Sequence, residues 1–193
     1  MKNKRLLFVM GKTSSGKDFV ANYLEQEYGI PMVVSYTTRP MRDYETDGVQ
    51  HHFIDDEKMD YLMDNEKIIA YTKNNKTGIQ YCATVESLSK ETMVYIINPN
   101  GVEWFQVHGA INDVDWHIIY IDCDENIILS RGQSRGDDIE TLTKRLESEH
   151  DEFNSFRDLK KYDYLIHNNH SVEYLLGQVD IFMESLGYEK VSR

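Results

Sequence analysis

The sequence predicts a three-layer α/β fold: a five-stranded parallel sheet with helices on both faces, carrying a small α+β insertion and a lid. Three observations lead there. Five short apolar runs, at 6–10, 32–35, 93–97, 117–121 and 164–166, are separated mostly by segments of helical periodicity. Several of these runs lack polar alternation, as expected of strands covered on both faces. The first run leads through Gly11-Lys12-Thr13-Ser14-Ser15-Gly16-Lys17-Asp18 into an amphipathic segment. Strand, glycine loop, helix is the order a phosphate-binding loop, or P-loop, requires.

Taken in order, the strand at 6–10 delivers the chain to that loop. Gly11 and Gly16 let backbone N–H groups turn inward, the helix N-terminus adds partial positive charge, and Lys17 reaches outer phosphates. Asp18 stands where such loops usually carry a hydroxyl that ligates Mg²⁺. A carboxylate can also hold Mg²⁺, or it can simply complement the helix dipole. As a metal ligand beside phosphates, it predicts strong metal dependence. The helix at 18–28 stops at Gly29, and Pro31 keeps it stopped.

After residue 35 the pattern changes. A polar loop spans 36–50, followed by short β-rich pieces at 52–54, 68–71 and 78–81 and an acidic helix near 55–65. These predict an insertion, 35–90, with its own antiparallel sheet, set into a core of 1–34 and 91–193. Further helices are expected at 101–108, 125–131, 139–153 and 171–186. The stretch 131–138 has the glycine and polar content of a mobile loop and opens a lid at 131–148.

A chain of 193 residues with 40% hydrophobic content supports one domain with a real core. No apolar run approaches membrane-spanning length and no secretory leader is evident, so a cytoplasmic protein is expected, without a membrane partner. Cys82 and Cys123 lack metal-type spacing and read as small buried residues. A net charge of −12 argues against a nucleic-acid partner. Five of the eight arginines fall in two segments, 39–42 and 131–145. Arginine suits bidentate phosphate contact, so these segments read as two clamps. Asp122, Asp124 and Glu125 read as a cap on the following helix. Trp104 and Trp116 read as packing residues, and His150, His167 and His170 as surface or strand-end residues.

The stretch Ser35-Tyr36-Thr37-Thr38-Arg39-Pro40-Met41-Arg42, followed by Glu45 and Gly48, resembles the signature of the guanylate kinase family. The P-loop before it, the arginines at 131, 135 and 145, and the strand ending in Asn168 extend the resemblance over essentially the whole chain. The resemblance implies a Mg²⁺-dependent kinase that transfers phosphate from ATP to GMP. Gly11, Thr13, Ser14, Ser15, Gly16, Lys17 and Asp18 would hold ATP and its metal, with Asn168 near adenine. Ser35, Arg39, Arg42, His51, Tyr81, Thr84 and Asn98 would hold the acceptor nucleotide, Thr84 near its base. Arg131, Arg135 and Arg145 would close over the transferring group, completing a catalytic set with Lys17 and Arg39.

The departures concern the base and the metal. Ile69 stands where the family places a guanine-reading glutamate, although a shift of register offers Glu66. Cys82 replaces a tyrosine of the phosphate site and His51 another. Ile96 and Asn98 replace an acidic pair, of which the first often orients Mg²⁺; Asp18 would compensate. Phosphate handling is retained while base reading is eroded, so another nucleoside or deoxynucleoside monophosphate is the alternative acceptor. A binding module without catalysis has no reason to retain Lys17 and the lid arginines. No Asn-Lys-x-Asp stretch supports a GTPase switch.

Overall fold

The computed structural model describes residues 4–65, 68–108 and 114–191. Glu66, the alternative base reader, lies outside them. The main sheet has four parallel strands in the order β6-β1-β7-β8. They are β1 (Lys4–Met10), β6 (Thr92–Ile96), β7 (Val114–Asp122) and β8 (Tyr164–His167). The central β1 is almost wholly buried from Leu6 to Met10. Its side chains alternate between two cores, as strand geometry demands. Leu6, Phe8 and Met10 meet Val102 and Phe105 of α3 (Pro99–His108) and Phe153 and Phe156 of α5 (Ile139–Asp158). Leu7 and Val9 meet Val20 and Leu24 of α1 (Lys17–Tyr28) and Leu175, Val179 and Phe182 of α6 (Val172–Ser185). Burying one such side chain contributes roughly 1.5–3 kcal/mol.

The expected fifth strand is reduced to one bridge, Met32 to Val94. Val33 N–H donates to the Val94 carbonyl at 2.7 Å and Val94 N–H to the Pro31 carbonyl at 2.9 Å. Pro31 has no N–H to continue the ladder, and by Ser35 the chain has left for a second sheet.

That sheet has the order β3-β2-β5-β4, from β2 (Ser35–Thr37), β3 (His51–Phe53), β4 (Ile68–Lys73) and β5 (Gln80–Thr84). It is mixed rather than antiparallel, because β2 and β3 run parallel. The long 36–50 loop carries the chain back to the end from which it started. Met59 and Leu62 of α2 (Asp56–Asp64) cover one face, packing with Tyr36, Tyr71 and Cys82. Asp55 caps α2, accepting from Lys58 N–H at 2.8 Å. Between the sheets, Ile69, Ala70 and Ala83 join the core under α3, and Trp104 of α3 lies 5.1 Å from Tyr71 of β4, ring centre to ring centre. The indole N–H of Trp104 is buried without a partner.

Residues 131–138 are not a loop throughout. α4 (Glu125–Arg135) continues to Arg135, and Gly136 caps it in the left-handed conformation at φ 81° before α5 begins. Gly132 is there for packing: a Cβ would stand 2.5 Å from Leu142 Cδ2. No helix among the described residues is long and apolar enough to cross a membrane.

Candidate functional site

The loop between β1 and α1 lies at the carboxyl edge of the main sheet, where open α/β sheets bind ligands. Two contacts explain its glycines. A Cβ on Gly11 would fall 2.4 Å from Ser15 Oγ and 2.6 Å from the Ile121 carbonyl. Gly16 holds φ 102°, and a Cβ there would fall 2.5 Å from Asn168 Nδ2. Ser14 also takes a left-handed conformation, φ 56°. Lys17 Nζ donates to the Lys12 carbonyl at 3.2 Å. Ser15 Oγ is buried without a partner. Lys12 is paired with Glu125 of α4 at 2.6 Å, and Thr13 N–H donates to Glu149 of α5 at 2.6 Å.

Asn168 supports the loop from behind. It is buried, and its amide donates to the Ser15 carbonyl at 2.7 Å. Asp18 is exposed in the first turn of α1 and pairs with no described residue. Among the described residues no cluster of three or more His, Cys, Asp or Glu is arranged to hold a metal. Mg²⁺ carried in on phosphates needs only one or two protein carboxylates, and Asp18 is the exposed acid next to Lys17.

The second cluster is on the open face of the smaller sheet. Strand pairing fixes which side chains share it: Ser35 pairs with His51, Thr37 with Tyr81, and Tyr81 with Thr72. Ser35 Oγ and His51 Nδ1 are 2.9 Å apart, and the His51 and Tyr81 rings meet edge to face at 5.8 Å. Arg39 is held by Glu45 through two bonds, Nη1–Oε2 at 2.8 Å and Nη2–Oε1 at 2.7 Å, and sits 5.4 Å from the Phe53 ring centre. Glu45 Oε2 also accepts from Arg42 N–H at 2.8 Å. The Arg39 hydrogen bonds, above all, hold the Glu45 carboxyl at about 2. Burial, and after it the charge of Arg39, pushes the His51 imidazole down, favouring its neutral form. Arg42 is exposed, its guanidinium on the Tyr44 hydroxyl at 2.8 Å.

Cys82 is on the opposite face. Paired with Tyr36 and packed under α2, its thiol is pushed up to about 12 by burial. It is a core residue, not a substitute for a phosphate-binding tyrosine. Thr84 is fully buried and spent on a capping box with Ser87, so it does not present its hydroxyl to a base. Ile69 falls at the bulge between Ile68 and Ala70 and is buried in the core.

The two clusters are tied together by Asn98. Its residue follows the end of β6, beside β1, with Ile97 N–H on the Val9 carbonyl at 3.2 Å. Asn98 Oδ1 accepts from Gly101 N–H at 2.9 Å, capping α3, while Nδ2 donates to Thr72 Oγ1 at 3.0 Å. Thr72 shares its face with Tyr81.

The three arginines expected in a lid have separate fates. Arg131 is spent on backbone, donating to the Asn168 carbonyl at 2.9 Å and the His170 carbonyl at 3.2 Å. Arg135 pairs with Asp137 at 2.6 Å and reaches Ser14 Oγ at 3.5 Å. Arg145 is exposed on α5, one turn before Glu149. Asp124 stands at the N-cap of α4 without a side-chain bond, whereas Asp122 pairs with Arg157 at 3.3 Å. Sequence reasoning missed Glu149, Glu125 and Thr72 as neighbours of the site. The four-residue spacing of Arg145 and Glu149 on one helix was the available signal.

A family model for guanylate kinase matches residues 3–186. The guanylate kinase of Desulfotalea psychrophila is 31% identical over 86% of this chain and 83% of its own length. That of Helicobacter hepaticus is 26% identical over all of this chain and 96% of its own. A crystal structure of guanylate kinase from Anaplasma phagocytophilum shares the fold, with TM-score 0.64 and 20% identity over 96% of this chain and 87% of that one. A strand–glycine loop–helix beside a serine–arginine cradle, matched by a family model over nearly its full length, means that the chain belongs to the guanylate kinase family and is a phosphotransferase.

Proposed function

We propose that this kinase transfers the terminal phosphoryl group of ATP to GMP, giving ADP and GDP, in a cytoplasmic setting. The observation that carries the reading is the pairing of two anion cradles. One is the glycine loop with Lys17. The other is Ser35, Arg39, His51 and Tyr81, bridged to the same sheet edge by Asn98 and Thr72. Residues 35–90 act as the acceptor-binding insertion on a core of 1–34 and 91–193, and 131–148 as the lid.

The loop amides and Lys17 hold the donor phosphates. Ser35, Arg39, Arg42, His51 and Tyr81 hold the acceptor phosphate. Arg135 and Arg145 neutralise charge as the lid approaches. Mg²⁺, bound to ATP and steadied by Asp18, would supply further charge stabilisation. The acceptor phosphate oxygen is already anionic, so no general base is needed, and catalysis rests on alignment and charge neutralisation.

One observation favours a different acceptor. The Gly101 N–H fixes Asn98 Oδ1, so the amide turns its N–H toward Thr72. Guanine offers N1–H and a 2-amino group and needs acceptors there; Ile69 supplies none. Coupled ADP-release assays with ATP and each nucleoside monophosphate decide between them. GMP turnover at least tenfold above the others, and loss of about 10²-fold or more in Lys17→Ala, supports the main reading. Preference for another base sinks GMP, and turnover indifferent to Lys17 sinks the kinase assignment to this loop.

A further inference from the structure

The donor loop already holds a carboxyl group. Glu149 reaches from α5 and its Oε2 accepts the Thr13 N–H at 2.6 Å. The positive charges of Lys17, Arg145 and Lys12 all bear on this carboxylate, as does the Thr13 N–H, while burial opposes them and leaves its proton affinity raised. These are the loop cations that an incoming phosphate chain would need. Lys12 is already matched by Glu125, which leaves Lys17 and Arg145 as the remaining cations whose charge bears on Glu149. A carboxylate oxygen and a phosphate oxygen cannot both occupy the single Thr13 donor.

We propose that Glu149 is a resident competitor for the outer phosphates of the donor, closing the loop until ATP displaces it. The proposal rests on the reading of residues 11–18 as the ATP loop. Displacement has a mechanical side. Glu149 and Arg145 lie one turn apart on α5, so releasing the carboxylate frees the helix face that carries a lid arginine. Donor entry and lid movement are then one event, with Glu149 as the latch.

Calorimetry on the full chain, without added Mg²⁺, tests this with three probes: ATP, inorganic tripolyphosphate and adenosine. Glu149→Gln removes charge but keeps an acceptor; Glu149→Ala removes both. Both variants should bind ATP and tripolyphosphate about tenfold more tightly, Ala at least as tightly as Gln, with adenosine unchanged. Weaker ATP binding would make Glu149 a ligand rather than a competitor, and unchanged binding would make the contact incidental; either overturns the proposal. Lys17→Ala separates the two layers of argument. If it weakens ATP binding while the Glu149 variants change nothing, only the latch fails. If it too has no effect, the loop assignment itself fails. Matching circular dichroism melts ensure that the variants are compared as folded proteins.

Discussion

At the scale of single residues, the acceptor cradle is set by partners that the motif only partly reveals. Ser35 and Arg39 were legible from spacing, His51 and Tyr81 only from the family resemblance, and the four come together. Cys82 was not, because its direction depends on which strand pairs with which. Arg131 was not, because its partners are two carbonyls far away in sequence. Glu45 fixes Arg39 by a two-bond fork, and a fork prepared before binding costs less to order. Glu45→Gln should therefore raise the acceptor KM about tenfold, leaving the ATP KM within about twofold. The same pair has a pH signature. The folded carboxyl lies at about 2 against an ordinary 4.5. Its stabilisation is therefore complete above about pH 4.5 and is lost as pH falls toward 2. Urea unfolding from pH 6 down to 3 should show wild type and Glu45→Gln converging in acid.

At the scale of elements, the strand–loop–helix unit was legible because its glycines, lysine and flanking periodicity all agree. The support behind it was not. Asn168 arrives from the end of β8 and fills the space that Gly16 leaves open. Gly16→Ala thus meets two obstacles, a left-handed φ of 102° and a contact at 2.5 Å. A cost of about 1–3 kcal/mol is expected from the strained backbone alone. Adding Asn168→Ala should recover only the steric part, because the φ remains unfavourable. Thermal denaturation of the four proteins of this cycle separates the contributions; full rescue would show that the dihedral is harmless. The edge of the main sheet was misread for a related reason. The run 32–35 has strand composition, but Pro31 and the departure of Ser35 into β2 leave a single bridge. Gly132 misled in the opposite sense, since a residue read as flexibility serves helix contact.

At the scale of the whole molecule, a body with net charge −12 must accept two polyanions. In the proposed function it does so through cations gathered at one sheet edge and one face of the insertion, because binding follows the local field rather than the total. The donor loop nevertheless has two acids within its surroundings, Asp18 in α1 and Glu149 on α5. Free ATP should therefore bind at least tenfold more weakly than its Mg²⁺ complex, and Asp18→Ser should narrow that ratio. Equal affinities, measured by calorimetry with Mg²⁺ and with EDTA, would remove Asp18 from the metal site. The overall arrangement was readable from alternating apolar runs. The tie between the sheets was not, since it depends on one amide, Asn98, meeting one hydroxyl, Thr72.

The ring pair of Trp104 and Tyr71 has a practical consequence. The indole is carried by α3 but packs against the apolar cluster of the smaller sheet, with Tyr71 as its neighbour, so any rotation of that sheet against α3 would alter the indole's surroundings. Trp116, packed beside Phe8 and Phe105 within the main core, stays clear of that seam. The chain thus offers an optical gauge for any movement across that seam: one tryptophan whose emission would respond to it and a second that would serve as a fixed baseline, without any attached dye.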